Sequence, residues 1–133
     1  MRVYLDAGLV ISIVECRPVW GAMVSARMAM LRTNGDELAA SDLTRLECRV
    51  GPLRSGDARL LAQFEAFFSD PDLSMQPLTT AVCDRAATIR ANHRFKTPDA
   101  LHLAAAIEAG CNLFLTHDQK LAQFTDLPVE VLS

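Results

Sequence analysis

The stretch from Thr97 to Leu121, TPDALHLAAAIEAGCNLFLTHDQKL, most constrains how this 133-residue chain can fold. Thr97 is a good helix N-cap and Pro98 suits the first helical position, so the pattern predicts a helix that begins there. Gly110 can end that helix in a left-handed conformation. The short apolar run at 111–115 is typical of a strand that is buried on both faces, as the strands of parallel sheets are.

This helix and strand place two acidic residues at one edge of the predicted sheet. Asp99 lies in the first turn of the helix, and Asp118 follows the strand. In a parallel sheet the ligand crevice lies beyond the carboxyl ends of the strands, and a helix that leads back into such a strand begins at that same edge. We therefore expect Asp99 and Asp118 to face one crevice.

The rest of the chain alternates strand-like and helical segments. Further strands are predicted at 2–6, 37–40, 73–78 and 129–132, and helices at 7–14, 20–31, 42–53, 57–68 and 80–91. Strands that alternate with helices predict an α/β fold, with three layers (α/β/α) around a mostly parallel central sheet of four to five strands. The length fits a single domain over residues 1–133, which is long enough for a hydrophobic core.

Some local features of these helices lead to separate expectations. The helix at 57–68 carries an apolar stripe, and we expect it to pack into the core rather than to form a partner groove. With the preceding helix it should form a helical hairpin, and Gly51-Pro52 should give that preceding helix an irregular end near Leu53. Met28 and Met30 are expected in the core, whereas Trp20 suits either the core or a partner contact.

Composition limits the class of protein. Half of the residues are apolar and 22% are charged, as in soluble globular proteins. No apolar run approaches the roughly 18 residues of a membrane span, and the N-terminus lacks the features of a signal peptide. The four cysteines show no paired spacing, which favours a reduced, cytoplasmic protein and argues against a zinc site.

Charge bears on whether nucleic acid is a partner. The formal net charge of −3 argues against a nonspecific nucleic-acid coat protein. If four acids are assigned to a metal, however, the balance of the remaining charges turns positive. Arg45, Arg49, Arg54 and Arg59 lie in one stretch and either line a groove for phosphates or form a solvated helix face.

Four carboxylates occupy equivalent places in the predicted fold. Asp6 ends the first strand, Glu47 lies one turn into the helix after the second strand, and Asp99 and Asp118 flank the fourth. Like charges a few ångströms apart repel one another and raise each other's pKa, so their convergence requires a cation. Mg²⁺ or Mn²⁺ prefers oxygen ligands, and such an ion can activate a water and neutralise a leaving oxygen. The pattern therefore predicts a phosphodiesterase.

Each acid taken alone also has a structural explanation. Asp99 gains from the helix dipole, Asp118 suits a turn, and Glu47 can pair with a neighbouring arginine. Asp6 is the hardest to explain structurally, since it follows a buried strand.

Nearby polar residues are interpreted more simply. His102 follows Asp99 by one helical turn, but we expect it to pack or meet solvent and do not include it among the catalytic residues. Thr116 either holds a catalytic acid or a water, or is only a hydroxyl at a strand end. Ser41 and Thr44 are expected to cap a helix, because no histidine is placed nearby in sequence to activate them.

Four segments of the chain resemble the PIN-domain family, in particular the VapC-type toxins of bacterial toxin–antitoxin pairs. They are VYLDAGLVI, SDLTRLECRV, TPDALHLAAAI and LFLTHDQKL, which contain in turn Asp6, Glu47, Asp99 and Asp118. The resemblance implies a metal-dependent endoribonuclease in which these four acids bind one or two Mg²⁺ or Mn²⁺ ions. It also implies a homodimer and inhibition by a small VapB-like antitoxin.

The chain departs from the family pattern at two places. Ala7 and Gly8 stand where the family often has a hydroxyl residue after the first acid, and His117 stands where it often has asparagine. The alternative function is therefore the same fold with a weakened site, which holds RNA or a protein without cutting it. An aspartyl phosphotransferase is disfavoured, because Gly8 occupies the position of its second aspartate.

Overall fold

Five strands, all parallel, form the central sheet of the structure, a computed structural model that describes residues 1–133. They are β1 (Arg2–Leu5), β2 (Glu37–Ser41), β3 (Leu73–Gln76), β4 (Leu113–Thr116) and β5 (Val129–Val131). Their order across the sheet is β3-β2-β1-β4-β5. The prediction of a parallel sheet with β5 at an edge is confirmed.

Helices cover both faces of this sheet. They are α1 (Ala7–Val14), α2 (Trp20–Thr33), α3 (Asp42–Ser55), α4 (Ala58–Phe68), α5 (Thr80–Asn92) and α6 (Thr97–Glu108), and a short 3-10 helix follows at Gln119–Gln123. One core cluster joins the sheet to helices α1 to α4, and the other joins it to α5 and α6. The predicted three-layer α/β/α fold is therefore confirmed. None of the helices combines the length and apolar character needed to cross a bilayer.

β1 is the central strand, and its residues alternate between the two core clusters. Val3 and Leu5 pack with helices α1 to α4, whereas Tyr4 points to the other face and packs with α6. All three are fully buried. β1 pairs with β2 on one side and with β4 on the other, so whatever follows Leu5 lies at the middle of the carboxyl edge.

Helix α3 differs from the prediction because it continues past Pro52 to Ser55. Proline disfavours the helical conformation of the residue before it, because its ring clashes with the N–H and the Cβ of that residue. Gly51 has no Cβ, so that part of the clash is absent, and the helix passes through the proline. α3 then ends at Gly56, which adopts a left-handed conformation with φ of 71°.

Three smaller predictions need correction. Met30 is 58% exposed, because the buried face of α2 is formed by other residues, Met28 among them. α6 begins at Thr97 itself, so Lys96 takes the N-cap position. β3 ends at Gln76 because Pro77 cannot donate a hydrogen bond to the sheet.

The apolar stripe of α4 packs into the core, as predicted. Phe64 and Phe68 are buried in the cluster with α1 to α3, and Leu60 and Phe67 pack against it. On the polar side of the hairpin, Arg45 and Arg49 of α3 both pair with one carboxylate of α4, that of Glu65. Two of the four clustered arginines thus join helices to each other, while Arg54 and Arg59 form no ion pair.

The edge strand β5 is joined to α2 by a two-point ion pair. The Arg27 guanidinium donates to both carboxylate oxygens of Glu130, at 2.7 and 2.9 Å. Both side chains are partly buried. Pairing of this geometry is stronger and more specific than a single contact.

We predict opposite effects from alanine at two helical glycines. A Cβ at Gly21 of α2 would lie 2.8 Å from the carbonyl oxygen of Ser12 in α1, so Gly21→Ala should lower the free energy of unfolding by about 1–3 kcal/mol. A Cβ at Gly8 would meet only the His117 ring, at 3.8 Å. Gly8→Ala should therefore raise stability by about 0.5–1 kcal/mol, since alanine favours helix. Urea unfolding of both variants tests this, and equal stability would contradict the close α1–α2 packing.

Candidate active site

The carboxyl edge of the sheet gathers the four predicted acids. Asp6 follows β1 directly, and Asp118 lies two residues beyond β4. Glu47 lies in the second turn of α3, and Asp99 lies in the first turn of α6. No arginine forms an ion pair with any of the four, so none of the carboxylates is neutralised by a fixed guanidinium.

Asp6 is held by hydrogen bonds to both of its oxygens. Oδ1 accepts from the backbone N–H of Ala7 at 2.9 Å, which makes Asp6 the N-cap of α1. Oδ2 accepts from the hydroxyl of Thr116 at 2.7 Å. Asp6 therefore has a structural role as well as a place in the acidic cluster.

Thr116 joins two of the acids. Its buried hydroxyl donates to Asp6 and accepts from the backbone N–H of Asp118 at 3.0 Å. The Asp118 side chain in turn accepts from the backbone N–H of Lys120 at 2.9 Å and caps the 3-10 helix. Of the two readings of Thr116, the structure supports the one in which it holds an acid.

Asp99 shows that the acids interact through space. Burial, and then the negative charges of Asp118 and Asp6, raise the pKa of the Asp99 carboxyl above its ordinary value. His102 and Lys120 offset part of this effect. A first-turn position favours the charged form through the helix dipole, but burial and the like charges outweigh it.

Glu47 has a partner that the sequence did not indicate. Instead of pairing with an arginine, its Oε1 is hydrogen-bonded to Nε2 of His102, and the same nitrogen lies 3.7 Å from Oδ1 of Asp6. Of the two expectations for His102, packing or contact with solvent, the structure confirms packing, since the residue is buried. It packs between two acids rather than among apolar groups alone. Its spacing of three residues from Asp99, which places both on one helix face, was the available signal.

A buried hydroxyl group completes the surroundings of His102. The Tyr4 hydroxyl lies 2.7 Å from Nδ1 of the imidazole, 2.7 Å from the Ser41 hydroxyl and 3.1 Å from the Thr44 hydroxyl. Burial raises the pKa of the Tyr4 hydroxyl well above its usual range, so the group keeps its proton. Ser41 and Thr44 also form the capping box at the start of α3, so their predicted capping role is confirmed.

The acids as they stand do not form a ready-made coordination cage. No group of three or more His, Cys, Asp or Glu side chains is placed to hold a metal ion. The donor chemistry nevertheless fits a hard divalent cation, because the groups are carboxylates and Asp99 is penalised by its negative neighbours. Mg²⁺ retains several waters and needs only one or two direct carboxylate ligands.

The cysteines stand apart from this chemistry. All four thiols are free, and burial raises the pKa of Cys48 and of Cys111 to about 12. A thiol with such a pKa remains protonated near neutral pH and binds metals poorly, since the thiolate is the ligand.

Comparison with known proteins adds a family and a set of related folds. The family model of the PIN domain matches residues 3–127 of the chain. No curated protein sequence matches it.

Solved structures with the same fold include toxin–antitoxin complexes. VapBC2 from Rickettsia felis, bound to a promoter DNA fragment, superposes with a TM-score of 0.82 at 16% identity, over 98% of this chain and 98% of that one. DNA-bound VapBC from Salmonella typhimurium gives 0.79 at 19% identity, again over 98% of each chain. Mycobacterium tuberculosis VapC20, a toxin that cleaves the sarcin–ricin loop, gives 0.72 at 13% identity, over 95% of this chain and 98% of its own.

We predict that Asp99→Asn stabilises the metal-free protein at neutral pH. Because its pKa is raised in the folded state, wild-type stability falls as pH rises from the ordinary value of 3.8 through the raised value, and the loss is complete above that window. Asparagine carries no charge, so the gain in melting temperature should be present at pH 7 and vanish below pH 3.8. Thermal melts in EDTA across this range provide the measurement. If Asp99→Asn were less stable than wild type at pH 7, the charge repulsion acting on Asp99 would be contradicted.

Proposed function

Because the chain belongs to the PIN domain family, we propose that it is a metal-dependent endoribonuclease of the VapC type, inhibited by a VapB-like antitoxin. The observation that supports this proposal is that Asp6, Glu47, Asp99 and Asp118 lie at the carboxyl edge of the sheet, where burial and the charges of Asp118 and Asp6 raise the pKa of Asp99. We also propose that residues 1–133 form a single domain and that the protein is a homodimer, as the resemblance to VapC toxins implies.

Asp6, Glu47, Asp99 and Asp118 would hold one or two Mg²⁺ or Mn²⁺ ions. A divalent ion at such a site supplies the positive charge that activates a water and neutralises phosphodiester oxygens. The protein's own contribution is to fix the carboxylates. Thr116 and the start of α1 orient Asp6, and the first turn of α6 presents Asp99. Hydrolysis in this site would leave a 5′-phosphate and a 3′-hydroxyl.

Basic side chains near the site are suited to hold the RNA backbone. Lys120 lies close enough to Asp99 to act on its carboxyl, and Arg94 and Lys96 are exposed in the loop that leads into α6. None of these three forms an ion pair with a carboxylate of the chain, so each remains available to phosphates. Phosphate contacts of this kind position a nucleic acid without selecting its sequence.

An exposed apolar stripe on α3 supports the antitoxin part of the proposal. Leu46, Val50 and Leu53 are 54, 41 and 57% exposed and follow one another at helical spacing. They lie on the helix that carries Glu47, so an apolar segment bound there would lie close to the acids. Exposed apolar groups that form a continuous patch mark interaction sites.

The alternative function is a binding module with a weakened site. Ala7 is buried and provides no hydroxyl beside Asp6, and Glu47 is held by His102. Divalent ion binding separates the two functions: such a module would bind RNA without binding Mg²⁺ or cutting the strand.

We predict that purified protein cleaves RNA in the presence of Mg²⁺ and that Asp99→Asn lowers the rate at least about 100-fold. This exceeds the roughly 10- to 100-fold effect of groups that only support metal ligands. Asp126→Asn serves as the matched control, because Asp126 is exposed and forms no ion pair; it should cleave at the wild-type rate. Equal cleavage by wild type and Asp99→Asn would reject the assignment.

We also predict that Leu53→Asp weakens binding of the proposed VapB-like antitoxin. A charge in a desolvated apolar contact should make the binding free energy less favourable by about 2 kcal/mol or more. Met30→Asp, an equally exposed position on α2, is the control. Affinity is measured by calorimetry with the purified partner, and unchanged binding by Leu53→Asp would place the antitoxin elsewhere.

A further inference from the structure

His102 has no part in the mechanism above, yet it is buried between two acids of the site. Its side chain is 3% exposed. Nε2 is hydrogen-bonded to Oε1 of Glu47 and lies 3.7 Å from Oδ1 of Asp6, while Nδ1 lies 2.7 Å from the Tyr4 hydroxyl. Both ring nitrogens are thus committed to polar partners.

Hydrogen-bond chemistry gives this arrangement a direction. An ionised carboxylate only accepts, so the hydrogen bond between His102 and Glu47 requires a proton on Nε2. Nδ1 is hydrogen-bonded to the Tyr4 hydroxyl. That hydroxyl is in turn hydrogen-bonded to the hydroxyls of Ser41 and Thr44, at 2.7 and 3.1 Å. No buried side-chain nitrogen or oxygen is left without a partner.

The hydroxyls of Ser41 and Thr44 provide a second connection between Tyr4 and Glu47. In the capping box the backbone N–H of Ser41 donates to the Thr44 hydroxyl at 3.2 Å, and the N–H of Thr44 donates to the Ser41 hydroxyl at 3.4 Å. The capping box begins α3, the helix that carries Glu47. Tyr4 comes from the central strand and His102 from α6. The Tyr4–His102–Glu47 network therefore fixes three elements relative to one another.

Only one oxygen of Glu47 is used in this network. Oε1 is bonded to His102, whereas Oε2 has no donor in the protein, and the side chain is 34% exposed. A carboxylate held at one oxygen presents the other in a fixed direction. Supporting hydrogen bonds of this kind orient ligating carboxylates and are worth about 10- to 100-fold in metal affinity or activity.

We propose that His102 is a positioning residue that aims Oε2 of Glu47 into the acidic crevice, and that the Tyr4 hydroxyl, bonded to the other ring nitrogen, holds the imidazole in the orientation that does so. This inference rests on the proposed function in one respect: the crevice must take a divalent cation. The imidazole itself is not a ligand, because both of its ring nitrogens are hydrogen-bonded to other side chains. Its N–H also lies beside Asp6, where it offsets the repulsion between two carboxylates.

The hydrogen bond from His102 to Glu47 is tested by nitrogen NMR of uniformly labelled protein near neutral pH. In wild type Nε2 of His102 should carry a proton before and after addition of Mg²⁺. In Tyr4→Phe, which removes only the buried hydroxyl, that proton should exchange faster with water, because the ring loses one of the two hydrogen bonds that hold it. Loss of the Nε2 proton when Mg²⁺ is added would make His102 a ligand and overturn the proposal.

The effect on the cation is measured by Mn²⁺ calorimetry on variants whose fold is verified by circular dichroism. Tyr4→Phe and His102→Leu should each weaken Mn²⁺ binding about 10- to 100-fold. His102→Gln keeps an N–H donor and should fall between His102→Leu and wild type, a rescue that loss of packing alone does not explain. His93→Gln, a histidine outside the network, should bind as wild type.

The two levels of inference fail differently. If wild type binds Mn²⁺ and cleaves RNA while the folded Tyr4 and His102 variants bind Mn²⁺ equally well, the positioning role is wrong and the proposed function stands. If wild type neither binds Mn²⁺ nor cleaves RNA, the proposed function is wrong and the positioning role falls with it.

Discussion

Parallel pairing of β1 with a strand on each side is the constraint on which the rest of the structure depends. Because β2 and β4 run in the same direction as β1, their carboxyl ends meet at one edge. The backbone N–H of Asp6 donates to the carbonyl of Leu115 at 3.1 Å, so the pairing with β4 continues to the first acid itself. A slip of one residue would exchange Tyr4 with its neighbours between the two faces and remove its hydroxyl from His102. The same register that buries the core therefore places the polar groups of the site.

Crowding of like charge at this edge is only partly compensated within the chain. Thr116 donates to one acid and His102 to another, but Asp99 has no such donor and its pKa remains raised. A structure optimised for stability alone would replace one of these acids with a neutral residue. Functional sites commonly retain such destabilising residues, because activity and stability place different demands on the same side chains. The proposed cation would supply the remaining positive charge that offsets the repulsion among these carboxylates.

Much of the fold and the order of the acids could be predicted from local pattern. Each acid follows a strand or opens a helix, and apolar periodicity locates these elements well. The hydrogen bond between Tyr4 and His102 joins residues 98 positions apart, and no local sequence pattern predicts a contact at that separation. Pro52 predicts an early end to α3, but the glycine before it lacks the Cβ that contributes to the clash, and the helix continues to Ser55. The apolar character of Met30 predicts a core position, but the buried face of α2 is formed by other residues and Met30 is exposed.

Both edges of the sheet are short and bounded by proline: Pro77 follows β3, and Pro128 precedes β5. Within β5, the middle residue Glu130 is held by the guanidinium of α2. An edge strand with a fixed charge and few free backbone groups is a poor template for a strand from another molecule. The β5 edge is thus a poor site for edge-to-edge aggregation and for growth by strand addition. The helical faces, such as the exposed apolar side chains of α3, offer a protein partner the better contact surface.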